Sequence, residues 1–153
     1  MEEFSKWEII PKLSFSEIED KKQADIIVWF MDQEHWLKEF PEDESDFPAG
    51  RGGYRIEGDS DYIDNGEIYI LSGNENQKGL YSHEMGHVLG FGHPDDLEHG
   101  DSVMAYNFDL QAEGPTEVDQ TLLKLKYNLP PRYTFDAGAQ AQLNSGTIIN
   151  ILP

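Results

Sequence analysis

The sequence predicts an α+β fold in one domain. Three observations carry that expectation. An apolar run, ADIIVWF (24–30), and an alternating segment, GEIYILSG (66–73), have the character of strands. Residues 76–90 and 116–127 repeat their apolar positions at spacings of three and four, as helices do. The chain has 153 residues, a length at which one domain with its own core is the default.

The elements follow in order. Residues 2–10 form a short helix stopped by Pro11. LSFSEI (13–18) alternates apolar and polar residues, which predicts a half-buried strand. ADIIVWF, apolar throughout, predicts a buried central strand. Residues 35–53, rich in acids, Pro and Gly, read as a long loop, and GYRIEG (53–58) as a short strand. GDSDYIDNG (58–66) is a turn. The strand after it puts Ile68 and Ile70 on one face, Tyr69 and Leu71 on the other. In the helix over 76–90, Leu80, His83, His87 and Gly90 share a side, with Asn74 or Asn76 as cap and Gly90 as the stop. The last helix, 116–127, is capped by Thr116, has Val118, Leu122, Leu125 and Leu129 as its inner stripe, and ends at Pro130 and Pro131. Beyond it the chain is amide-rich and nearly uncharged, with a strand-like run at 147–152.

Composition narrows the function. The net charge is −19, from 30 acids against 11 bases. Such a surface repels phosphate backbones and anionic bilayers, so neither nucleic acid nor membrane is an expected partner. There are no cysteines, which excludes disulfides, thiol catalysis and thiolate metal sites. No apolar stretch approaches a membrane span, and MEEFSKWEIIP is no signal peptide.

The chemistry is concentrated in HEMGHVLGFGH (83–93), which holds three of the five histidines. On a helix His83 and His87 lie one turn apart on one face, the spacing that two ligands of one metal need. Imidazole nitrogen suits zinc. Glu84, rotated about 100° around the helix from His83, can reach a water at the metal. Gly90 lets the chain turn back so that His93 supplies a third ligand, leaving the open position of a catalytic site. Five fixed positions at about one in twenty each match by accident in roughly one window in 10⁶. A helix with incidental histidines is therefore the weaker explanation.

This extended pattern resembles the zinc signature of the metzincin metallopeptidases. SVMAY (102–106) is similar to the methionine turn of that family, with Met104 beneath the metal; an ordinary core methionine is the plain alternative. KLSFSEIEDKKQADIIVWF and GEIYIL resemble matrixin and serralysin segments, the second as the edge strand beside the cleft. GHPDD and SVMAY are closer to serralysins. The resemblance implies a zincin/metzincin-like fold: a twisted mixed sheet, an active-site helix and a C-terminal helix. It implies one catalytic zinc on His83, His87 and His93, with Glu84 as general base in peptide-bond hydrolysis. Tyr106, two residues after Met104, matches a tyrosine that serralysins and astacins place near zinc, where it ligates metal at rest and stabilises the transition state; a buried tyrosine with no such role is the alternative. The specificity pocket should follow at about 107–114.

On this resemblance residues 1–131 are the catalytic domain and 132–153 a tail for strand addition or docking. The N-terminus is shortened relative to the family, so that TIINIL (147–152) or a partner chain would complete the sheet. Asp59, Asp61, Asp64 and Glu67 make an oxygen-rich turn that can hold calcium, though solvated acids are the plainer reading. His35 and His99 read as ordinary polar residues. The expected partner is a protein or peptide substrate. The main rival is a zinc-holding binding or assembly module that does not cut. The family is usually secreted, and this chain shows no signal peptide; its location is not set by the sequence.

Overall fold

A computed structural model describes residues 2–11, 13–58, 63–93, 102–105 and 113–128. Three strands form one mixed sheet: β1 (Ile26–Met31), β2 (Gly50–Arg55) and β3 (Asn65–Leu71), in the order β1-β3-β2. β1 runs parallel to β3 with Ile26 opposite Gly66, and β2 runs antiparallel to it with Gly50 opposite Ile70. Among the described residues four α-helices accompany the sheet: α1 (Glu2–Ser5), α2 (Gln33–Glu39), α3 (Leu80–Val88) and α4 (Glu117–Asn128). This is the α+β arrangement expected from the sequence.

β3 is the central strand. Its inward residues Ile68 and Ile70 are completely buried, while Glu67 and Tyr69 face outward and are half-exposed. Each of those isoleucines contributes about 1.5–3 kcal/mol of burial. They pack with Leu80, Met85 and Val88 of α3, and Trp7 of the N-terminal segment and Leu123 of the last helix complete the core cluster.

Several expectations need correction. The 66–73 strand was expected at the edge of the sheet, but it is paired on both sides, and the edge next to α3 belongs to β2. The 24–30 run was expected as a buried central strand. Among the described residues it is an edge strand, half-buried, with Phe30 59% exposed. An apolar run reports on side chains and says nothing of how many backbone neighbours a strand has. LSFSEI keeps its predicted alternation only over its first four residues, with Leu13 and Phe15 half-buried and Ser14 and Ser16 exposed; Ile18 is exposed as well, and the segment forms no strand. Instead Phe15 packs on Phe4, and its N–H donates to Glu8 Oε1 at 2.6 Å.

The predicted loop over 35–53 holds most of α2, a 3₁₀ turn at Pro41–Ser45, and the start of β2. Asp32 caps α2 by accepting from His35 N at 2.9 Å. Trp36, fully buried, donates Nε1–H to Asp43 at 2.8 Å, and Arg51 reaches both Glu42 and Asp43. The acids that suggested a loop are thus spent on tying this segment to the sheet.

α1 covers less than residues 2–10, and α3 is shorter than 76–90. The chain enters α3 through Gly79, left-handed at φ 75°, so neither Asn74 nor Asn76 is its cap. Glu3 serves that helix start instead, accepting from Ser82 N at 3.2 Å. α4 begins as expected. Thr116 Oγ1 accepts from Asp119 N at 3.4 Å while Asp119 Oδ2 accepts from Thr116 N at 2.8 Å, a reciprocal capping box. Its inner stripe differs: Asp119 and Leu123 are buried, Leu122 and Leu125 half-buried, and Val118 is 39% exposed. Leu129, the prolines after it, the 132–153 tail and Asp59 and Asp61 lie outside the described residues. Among those described, no helix is long and apolar enough to cross a membrane.

Candidate metal centre

Helix geometry places His83 and His87 on one face of α3, with ring centroids 4.8 Å apart. After Val88 the chain leaves the helix through Gly90, at φ 81°, and Phe91 N bonds back to Gly86 O at 2.9 Å. That tight return brings His93 over the other two. Its Nε2 lies 3.1 Å from His83 Nε2 and 3.2 Å from His87 Nε2. Among the described residues these three are the group whose ligand atoms come together, all within 4.8 Å of one another.

The other ring nitrogens explain the orientation. His83 Nδ1 is 2.6 Å from Val103 O, and His87 Nδ1 is 2.9 Å from Phe91 O. A carbonyl only accepts, so both Nδ1 atoms carry the proton and both Nε2 atoms carry the lone pair. Two lone pairs therefore converge on the position of His93. Tetrahedral zinc with about 2.05 Å bonds would set its ligand nitrogens about 3.3 Å apart, close to the separations found here. The donor set fits one zinc ion.

Met104 lies beneath this turn of α3 and is 3% exposed. Its Sδ is 2.1 Å from where a Cβ on Gly86 would stand, so glycine between the two helical histidines makes room for the thioether. The 102–105 segment is held by Asp119 of α4, which is buried and accepts from Ser102 Oγ at 2.5 Å and Val103 N at 2.9 Å. Trp7 supports the helix from the N-terminal side, donating Nε1–H to Ser82 O and Oγ at 3.1 and 3.0 Å and stacking on Phe91.

Glu84 points away from the core toward β2 and is 4% exposed. β2 lies against it through two glycines. A Cβ on Gly52 would come within 2.1 Å of Glu84 O, and one on Gly50 within 2.9 Å of Glu84 Oε1. Strand and helix are in direct backbone contact at this residue.

A family model described as matrixin matches residues 1–122, which spans the sheet, α3, the histidines, Met104 and the first turn of α4. The chain belongs to the matrixin family. Matrixins are zinc metallopeptidases, so the metzincin resemblance and the α+β metzincin fold stand. No curated protein and no solved structure matches the chain.

Electrostatics in this matrixin keep the histidines in the form that binds metal. Burial pushes His83 down to about 4, against the Val103 carbonyl, which favours a protonated ring. Burial also lowers His87 and His93, the latter helped by the nearby His87. Glu84 moves the other way: burial raises it to about 8, with the Gly52 N–H and Arg51 pulling back.

Of the residues singled out in the sequence, His83, His87 and His93 are together, with Glu84 beside His83 on α3 and Met104 below. Tyr106, His99, and 107–112 of the pocket segment lie outside the described residues. His35 sits at an exposed helix start, bonded to Asp32. The acidic turn gathers no ligand set among the described residues: Asp64 accepts from Glu57 N, and Glu67 accepts from Trp29 and Arg55. Sequence reasoning missed Gly50, Gly52, Trp7 and Asp119. The alternate glycines of GRGGYR were the available signal for the first two, since glycine inside a strand marks close backbone approach. Asp119 stands three residues after Thr116, which is capping-box spacing, but nothing in the sequence ties it to residues 102–104.

Proposed function

We propose that this matrixin is a zinc-dependent metalloendopeptidase in which His83, His87 and His93 hold one zinc ion and Glu84 is the general base. The observation that carries the reading is the convergence of the histidine Nε2 atoms, with Nδ1 of His83 and of His87 each committed to a backbone carbonyl. Bound zinc would supply a Lewis acid that polarises the scissile carbonyl and makes water acidic enough to attack near neutral pH. Glu84 takes the proton of the attacking water and returns it to the departing amine. Its raised pKa suits the return of the proton to the amine, while the charge of bound zinc would favour the carboxylate form that takes the proton first. Tyr106 keeps the role that the resemblance gives it, a hydrogen bond to the oxyanion of the reacting carbonyl. The substrate adds as an antiparallel strand along the edge of β2 that pairs with no other strand among the described residues, beside Glu84, and not along β3, whose two edges are already paired.

One observation favours a second reading, a zinc-holding module that does not cut: Glu84 is almost completely covered by β2. Zinc content and digestion of a mixed peptide library, compared between wild type and Glu84→Ala, separate the two. The peptidase reading expects zinc in both proteins and cleavage only by the wild type. Full activity in Glu84→Ala refutes the role of Glu84. Zinc without cleavage in the wild type selects the second reading.

A further inference from the structure

Helix α3 must end within a few residues of His87 so that His93 can return to the cluster. A helix end leaves carbonyls without intrahelical donors. Here three consecutive carbonyls receive donors from side chains. Leu89 O accepts from Tyr127 Oη at 3.4 Å, Gly90 O from Lys126 Nζ at 2.5 Å, and Phe91 O from His87 Nδ1 at 2.9 Å. Two of those donors come from the far end of α4, 36 and 38 residues away in sequence.

Lys126 is placed for this task. A Cβ on Gly90 would lie 2.3 Å from its Nζ, so the ammonium occupies the space that glycine vacates. The ammonium also lies over the Phe91 ring, 5.4 Å from its centroid, and Phe91 stacks in turn on Trp7. A cation at this point faces the negative end of the α3 dipole. Lys126 and Asp119 are seven residues apart, hence on the same face of α4, with the buried Leu123 between them. One end of that face holds Val103, whose carbonyl orients His83. The other holds Gly90, one residue before the carbonyl that orients His87.

We propose that Lys126 is a positioning residue of the metal centre: its ammonium on the Gly90 carbonyl fixes the turn that carries His93 to His83 and His87. The inference rests on the metal reading above and adds a residue outside the histidine motif. Lys126 touches neither metal nor substrate; it acts through the backbone of residues 90 and 91.

The test is a competitive zinc titration of the full chain with a chromogenic chelator, paired with the visible spectrum of the cobalt-substituted protein. Lys126→Met keeps the aliphatic stem and removes the donor. It is expected to weaken zinc binding about 10- to 100-fold, the range for loss of a group supporting a ligand, and to shift the cobalt d–d bands. Lys126→Arg should restore affinity to within about threefold, and Lys124→Met, an exposed lysine on the same helix, should leave both readouts unchanged. If Lys126→Met does not fold, Lys126→Gln is read the same way. Wild-type affinity and an unchanged cobalt spectrum in the folded Met or Gln variant overturn the inference alone. Failure of the wild type to bind zinc overturns the metal reading and this inference with it.

Discussion

His83 is oriented by Val103: the ring donates Nδ1–H to the Val103 carbonyl at 2.6 Å, which turns Nε2 toward His93. Val103 is held in turn by Asp119, whose buried carboxylate accepts from its N–H. A histidine of the candidate metal centre on α3 is therefore linked to a carboxylate on α4, through one residue of the segment between them.

Asp119→Ala tests that chain of contacts. The carboxylate accepts from Ser102, Val103 and Thr116, and removing it leaves buried donors unpaired. Each such donor costs about 1–3 kcal/mol. We expect a loss of about 3 kcal/mol or more in urea denaturation, together with weaker zinc binding. A loss below about 1 kcal/mol would mean that water replaces the carboxylate without penalty.

Gly52→Ala adds a methyl group where Glu84 O already stands, whereas Gly53, with nothing within 4 Å of its would-be Cβ, accepts the same change freely. Overpacking of this kind costs about 1–3 kcal/mol. Thermal melts should show Gly52→Ala destabilised and Gly53→Ala near wild type, with kcat/KM reduced only in the first. Equal melts for the two variants would contradict the direct contact of β2 with α3.

The raised pKa of Glu84 sets a pH dependence for the metal-free protein. The folded state holds a proton up to about pH 8, while the unfolded carboxyl releases it near 4.5. The stability that this group contributes is fully present below pH 4.5 and is lost as pH rises through 8. Glu84→Gln cannot ionise. In metal-free protein its advantage over wild type should be near zero at pH 4, grow above that, and level off past pH 8 at several kcal/mol, in order of magnitude. Denaturant midpoints of both proteins across this range check it; a constant offset would show that the carboxyl titrates normally in the fold.

Trp7 gives a fourth test. Trp7→Phe keeps an aromatic face toward Phe91 but loses the donor to Ser82, for an expected cost of about 1–3 kcal/mol. Trp7→Ala should cost about 3–5 kcal/mol. Chemical denaturation of the two variants measures whether the N-terminal segment is part of the cooperative unit. Unchanged midpoints would place it outside.

The sequence carried the histidine cluster because His83, His87, Gly90 and His93 interact locally, through helix spacing and one glycine turn. It carried the start of α4 for the same reason: Thr116 and Asp119 cap each other within one turn. What it concealed depends on partners far away in the chain. Residues 24–30 and 66–73 both read as strands, yet only pairing tells that β3 is central and β1 an edge. The acids of residues 42–43 read as part of a long loop because their partner, Arg51, and the indole of Trp36 become neighbours only in the fold. Nothing local marks Lys126, because the carbonyl it meets lies 36 residues earlier.

The contact between Gly52 and Glu84 joins main chain to main chain, with no side chain between them. Side chains absorb small displacements by changing rotamer; two backbones in contact have no such slack. A shift of β2 by a few tenths of an ångström is therefore passed undamped to the backbone that carries Glu84. In the proposed peptidase, the strand offered to a peptide and the residue assigned the proton transfer would thus move as one body, so that seating of the one would adjust the other.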